Sequence, residues 1–153
     1  MMNGKFYIFV STPMKGKDKK EIEERYLAIK TFVYAMISLV NNDVDTRKIN
    51  VIRTFDKDVP KNFPEFEFDD RKRVYCLGDS IGKMYQADLA IFDSGWTSAS
   101  GCQVEKYVCE MYHIPNLDLY GYDEHDNEDN ESIYTLANWF NQLYLEATKE
   151  DAP

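Results

Sequence analysis

The stretch Leu89-Ala90-Ile91-Phe92-Asp93-Ser94-Gly95-Trp96-Thr97-Ser98-Ala99-Ser100-Gly101-Cys102-Gln103-Val104-Glu105 passes from an apolar run, through small and polar residues, into helical spacing. Leu89 to Phe92 offers no polar alternation, so it reads as a strand covered on both faces, ended by Asp93-Ser94-Gly95. The helix that follows runs from Ser100 to Tyr112, with Ser100 and Gln103 at capping-box spacing. A strand buried on both sides and followed at once by a helix is the unit of a parallel α/β sheet.

The same alternation extends in both directions. Phe6 to Val10 is a β-prone run stopped by Ser11-Thr12-Pro13, and Asp18-Lys19-Lys20-Glu21 has the form of a capping box. Behind it Ile22, Tyr26, Ile29, Val33, Met36, Ile37 and Val40 predict one amphipathic helix ending near Asn41-Asn42. Ile49 to Ile52 is a second strand, residues 55–68 carry two prolines and no periodicity, and Asp69 to Gln86 is helical. Leu117 to Tyr120 is the last strand. An acidic loop over 119–131 leads to a closing helix over 132–149. With no repeat and no linker, residues 1–153 read as one domain. The expected architecture is a three-layer, doubly wound parallel sheet with helices on both faces. Ligands of such sheets bind outside the carboxyl ends of the strands, which here are 11–17, 54 onward, 93–100 and 121–131.

Composition removes several functions. With 18 Lys+Arg against 27 Asp+Glu, the net charge of -9 argues against a protein that coats polymeric nucleic acid. The longest apolar-rich stretch, 31–40, falls far short of the about 20 residues that span a bilayer, so no membrane partner is expected. The first residues show no signal-peptide pattern. Cys76, Cys102 and Cys109 are odd in number and lack metal-ligand spacing, which predicts reduced thiols in a cytoplasmic protein, with no metal and no disulfide framework; the chemistry that the resemblance below implies needs no cofactor.

The loop over 93–100 carries the most chemistry. Its small residues let a ligand approach the backbone, and the free amides at the following helix start favour an anion or a polar sugar. It is neither a Walker A loop nor a GxGxxG turn. Glu105, in the second turn of that helix, is either a solvated helix residue or a rigidly held nucleophile or base. Trp96 either stacks a base or packs. Asp93 either holds a ribose hydroxyl or caps the loop's own amides.

Three pieces, FVSTPMKG, YCLGDSIGKMYQADLAIFDSGW and SASGCQVEKYVCEMYHIP, in this order and spacing resemble the nucleoside 2-deoxyribosyltransferase-like family. The likeness is to its small, often phage- or prophage-borne branch, and it covers roughly residues 5–120. It implies a flavodoxin-like sheet of about five strands. It also implies N-glycosidic bond cleavage or deoxyribosyl transfer, in which a helix glutamate attacks the anomeric carbon of a nucleoside or nucleotide. Glu105 falls on that glutamate, and Gly101 on a glycine that lets the sugar come close. The catalytic set implied is Glu105, Asp79 and Tyr7. Substrate would be held by Phe9, Ser11, Pro13, Met14, Asp93, Gly95, Trp96, Ser98, Ser100 and Gly101.

The chain also departs from the family. Ala99 stands where classical members have aspartate, and Ser100 where the small branch has arginine. Phe9 stands where a tyrosine hydrogen-bonds the nucleophile, with Tyr7 two residues earlier on the same strand face. Asp79 or Ser80 falls at the acid that protonates the leaving base. A catalytically inactive relative that binds or sequesters a nucleotide-like molecule is the alternative, and the family implies a homodimer or larger homo-oligomer. Phe63, Phe66 and Phe68 could form a lid or a subunit contact. The acidic run 123–131 reads as solvated rather than calcium-binding. The aromatic face of the closing helix, Trp139, Phe140, Leu143 and Tyr144, reads as core or interface.

Overall fold

A computed structural model describes residues 4–14, 16–54, 69–119 and 130–149. The order of elements is β1 (Phe6–Ser11), α1 (Lys19–Ser38), a 3-10 turn at Thr46–Lys48, β2 (Ile49–Ile52), α2 (Asp69–Lys83), a 3-10 turn at Met84–Gln86, β3 (Leu89–Phe92), a 3-10 turn at Trp96–Ser98, α3 (Ser100–Met111), β4 (Asn116–Asp118) and α4 (Asn130–Thr148). The Phe63, Phe66 and Phe68 segment and the acidic loop from 120 to 129 lie outside the described residues.

The sheet is all-parallel with order β2-β1-β3-β4. Four strands are described, one for each apolar run in the sequence and one fewer than the resemblance implies. The strands start in register with Phe6 opposite Ile49, and Ser11 faces Phe92 at the other end of the β1–β3 pair. Chain order reverses between β1 and β3, so the crevice beyond their carboxyl ends is the topological switch point.

Two cores cover the two faces. Phe6, Ile8 and Val10 of β1 join Ile22, Tyr26, Ile29, Val33 and Ile37 of α1 and Leu136, Phe140 and Tyr144 of α4. On the opposite face Phe9 packs with Ile52, Met84, Ala90, Phe92 and Cys109, flanked by Tyr7, Ile81 and Trp96. The strict period of two along β1 divides its side chains between these layers.

Local signals account for the helix boundaries. Asp18 caps α1 by accepting the Glu21 backbone N–H at 2.9 Å. The helix ends at Ser38, so Val40 lies beyond it, and Met36 is only partly buried against the core. At α3 the N-cap is Ala99, with no side-chain cap. Ser100 is therefore the first helical residue, and the Ser100–Gln103 capping box does not form. Gln103 donates instead to the Thr97 carbonyl, and Ser100 Oγ accepts from Arg73 at 3.3 Å.

The aromatic face of α4 belongs to the core. Phe140 is fully buried, edge-on to Phe32 of α1 at 6.1 Å, and Trp139 and Leu143 pack against the same cluster. Truncating Phe140→Ala deletes a ring from the contact between α1 and α4 and is expected to cost about 3–5 kcal/mol in urea unfolding. A loss below about 1 kcal/mol would mean that α4 does not complete this layer.

Candidate functional site

Glu105 lies at the switch point. Its position in the second turn of α3 carries it over the end of β1, and it is only 7% exposed. Ser11, the last residue of β1, donates its hydroxyl to Glu105 Oε1 at 2.8 Å. A second hydroxyl, that of the buried Ser80 on α2, also favours the charged form of the carboxyl. Burial outweighs both donors and pushes the Glu105 carboxyl from the ordinary 4.5 to about 7. Cys102, one turn earlier on α3, is also buried, and burial pushes its thiol above the ordinary range.

Beside this group stands Asp93, 2% exposed at the end of β3. Arg25 of α1 grips it through both oxygens, Nε to Oδ2 at 2.8 Å and Nη2 to Oδ1 at 2.5 Å. Thr12 Oγ1 adds 3.0 Å to Oδ2, and the Ser94 backbone N–H adds 2.9 Å to Oδ1. A carboxylate has about four acceptor positions, and these four donors occupy them. Asp93 thus caps its own loop and anchors α1, and no lone pair remains for a ribose hydroxyl. Its backbone N–H donates to the Ser11 carbonyl at 2.8 Å, fixing the residue that holds Glu105. Nearby, the Tyr26 hydroxyl and Thr54 Oγ1 lie 3.1 Å apart, and burial raises the Tyr26 phenol above its ordinary range.

The two loops quoted for the resemblance touch. Gly95 has a φ of 86°, which side chains rarely adopt, and a Cβ there would sit 3.5 Å from Pro13 Cγ. The turn after β1 and the loop after β3 therefore close on each other beside the carboxyls. Met14, by contrast, packs into the first core. Ser98 is exposed and bonds only the Gly95 carbonyl, at 3.4 Å.

Other expected site residues lie elsewhere. Tyr7 sits four residues before Ser11, roughly 13 Å down the strand, too far for its hydroxyl to reach Glu105. Its backbone N–H is held by Asp88 Oδ2 at 2.8 Å. Phe9 is fully buried in the second core beneath α2 and α3, so it lines no ligand surface. Trp96 packs in that same core, edge-on to Phe92 at 5.5 Å, with the Lys106 ammonium 5.6 Å from its ring. The ring is thus partly buried, one part packed on Phe92 and the rest open to solvent. Asp79 lies next to Ser80 on α2 and pairs with Lys83 at 3.4 Å.

Among the described residues no group of three or more His, Cys, Asp or Glu is gathered to hold a metal ion. No helix among them is long and apolar enough to cross a membrane. All three cysteines are free, Cys76 exposed and Cys102 and Cys109 buried. Arg25 is the structure's addition to the site. Thr12 lies in the quoted turn after β1, and Ser80 is one of the two positions at which the resemblance places the acid.

No family model, curated protein or solved structure matches the chain.

The raised carboxyl has a thermodynamic consequence. Between pH 4.5 and about 7 the folded chain keeps a proton on Glu105 that the unfolded chain releases. Stability from this group is therefore largest at the acid end and falls as pH rises through that window. The difference in unfolding free energy between wild type and Glu105→Gln should drop by on the order of 3 kcal/mol across it, then level off. Urea unfolding of both proteins over that range checks this. A pH-independent difference would mean that Glu105 ionises like an exposed glutamate.

Proposed function

We propose that the chain acts on a nucleoside or nucleotide at its N-glycosidic bond, by the chemistry of the nucleoside 2-deoxyribosyltransferase-like proteins that it resembles. The observation that carries this reading is Glu105, a buried carboxyl at the switch-point crevice, presented by a helix and held by the Ser11 hydroxyl.

A carboxylate so placed can attack the anomeric carbon. The C–N bond breaks and its electron pair leaves with the base, which takes up a proton. Water or a second base then displaces the glycosyl ester, restoring the Glu105 carboxylate with overall retention. A carboxyl titrating at about 7 is divided between its two forms near neutrality, so attack requires the deprotonated fraction. Gly101 fits the same reading. A Cβ there would meet only Leu77 Cδ1 at 3.8 Å, an ordinary contact, so the fold itself does not demand glycine. The space serves a sugar brought against the helix start. The substrate is a small molecule, and the protein is read as a cytoplasmic homo-oligomer that needs no cofactor.

One observation favours the alternative, a pocket that binds a nucleotide-like molecule without turning it over. Asp79, the carboxyl expected to protonate the leaving base, is engaged as the counter-ion of Lys83.

The test is mass spectrometry of the protein with a pool of nucleosides and 5'-mononucleotides, alongside Glu105→Ala. Free base should appear with the wild type and fall by at least about a hundredfold in the variant. For the wild type, kcat/KM should climb as pH rises through 7 and then reach a plateau. One compound retained intact, with no base released, would select the binding reading. Neither release nor retention would overturn both.

A further inference from the structure

Ser11 is the residue that meets Glu105, yet among the described residues the sheet holds it from one side only. The ladder with β2 ends at Phe9, opposite Ile52, while the ladder with β3 runs on to Ser11, opposite Phe92. At that point Asp93 takes over. Its backbone N–H donates to the Ser11 carbonyl at 2.8 Å, and its Oδ2 accepts from Thr12 Oγ1 at 3.0 Å. One residue thereby holds both Ser11 and its neighbour.

This clamp has an anchor of its own on α1. Arg25 meets the same Oδ2 through Nε at 2.8 Å and Oδ1 through Nη2 at 2.5 Å, so a planar fork fixes the plane of the carboxylate. The Asp93 side chain is 3% exposed and that of Arg25 is 40% exposed, so the fork reaches in from the rim. The helix beneath it is seated firmly. Ile22, Tyr26 and Ile29 lie in the first core on either side of Arg25 in sequence, and the Tyr26 hydroxyl lies 3.1 Å from Thr54 Oγ1 just beyond β2.

We propose that Arg25 is a positioning residue for Glu105, acting through Asp93 to fix the backbone from which the Ser11 hydroxyl reaches the carboxyl. The contacts form an unbroken series, from the Arg25 fork to Asp93, from Asp93 to Ser11 and Thr12, and from Ser11 Oγ to Glu105 Oε1 at 2.8 Å. A serine hydroxyl has about three staggered positions, and a turn of the backbone swings Oγ away from the one that meets Glu105. The role rests on the proposed function only in its kinetic arm, because the ionisation of Glu105 can be followed without substrate.

Arg25 supplies geometry rather than charge. Its charge is matched by Asp93, and the influences on the Glu105 carboxyl are burial and the Ser11 and Ser80 hydroxyls. A lysine would keep the positive charge but not the two-oxygen grip. The other ionisable groups around Glu105 are Tyr26 of α1, Cys102 and Cys109 of α3, and Asp79 of α2, paired with Lys83; Lys17 and Asp93 act on Cys102. Burial holds the phenol and both thiols above their ordinary ranges, so they keep their protons while Glu105 titrates.

The carboxyl stretching band of protonated Glu105, assigned by its loss in Glu105→Gln, gives the ionisation midpoint by infrared spectroscopy of the full-length protein. In wild type the midpoint should lie near 7. Ser11→Ala should raise it by about one pH unit or more, since a hydrogen bond to the charged form is lost. Arg25→Lys should raise it by about half a pH unit or more, through the same hydroxyl. In the double variant the midpoint should equal that of Ser11→Ala alone, because no hydroxyl is left for Arg25 to aim. Should Arg25→Lys fail to fold, Asp93→Asn breaks the same pair from its other end and should also raise the midpoint. A wild-type midpoint in Ser11→Ala, in Arg25→Lys or in Asp93→Asn overturns the role, as do shifts that add in the double variant. If base is released, the pH profile of kcat/KM should move with the band. Shifted midpoints without base release would leave the role standing and remove the reaction. Base release with unmoved midpoints would do the reverse.

Discussion

Strand β1 has no solvent side. It is flanked by β2 and β3 and covered by helices above and below, so its period of two sends Phe6, Ile8 and Val10 into one core and Phe9 into the other. Apolar burial on this scale, about 1.5–3 kcal/mol for each large side chain, admits no slip of register, because a shift by one residue would exchange the two faces. Ser11 is where that constraint meets chemistry. It shares a face with Phe9 but lies at the edge of the apolar layer, where a hydroxyl can replace a methyl if it finds a partner. Glu105 is that partner, so the alternation that builds the cores also aims the Ser11 hydroxyl.

A second constraint keeps the strand ends together. Asp93 is buried and charged, a costly combination unless every oxygen is bonded. The donors come from α1, from the turn after β1 and from its own loop, and its backbone holds the Ser11 carbonyl. One carboxylate thereby ties together three segments that are distant in sequence. Loops that would otherwise be loose are drawn over the crevice, and the left-handed Gly95 lets the turn at Pro13 close against them.

What the sequence disclosed follows from how local each signal is. The strands and helices were legible because each rests on a short pattern: an apolar run, a helical stripe or the Asp18 cap. The capping box at Ser100 misled because the 3-10 turn Trp96–Ser98 places Ala99, not Ser100, at the cap. Glu105 was legible only through a resemblance, since a glutamate in a helix is usually solvated. The resemblance puts the hydroxyl beside it at Phe9, which has none, or at Tyr7. The same strand period points onward to Ser11, but only the reach of α3 over the end of β1 decides which position on that face meets the carboxyl. Arg25 and Asp93 are 68 residues apart, and nothing local in either predicts the other.

The charge preference of the site bears on its purpose. Burial disfavours the Glu105 anion, and a glutamine or an apolar side chain would fill the same space without that penalty. Yet the groups arranged around the carboxyl, Ser11 and Ser80, are donors that favour the ionised form. The same hydroxyls can also accept, so either form of the carboxyl finds a partner. The two opposing influences leave the carboxyl near neutrality, where protonated and ionised forms are both populated. That balance keeps a deprotonated fraction for the nucleophilic role proposed for Glu105, at a cost in stability that an apolar side chain would not carry.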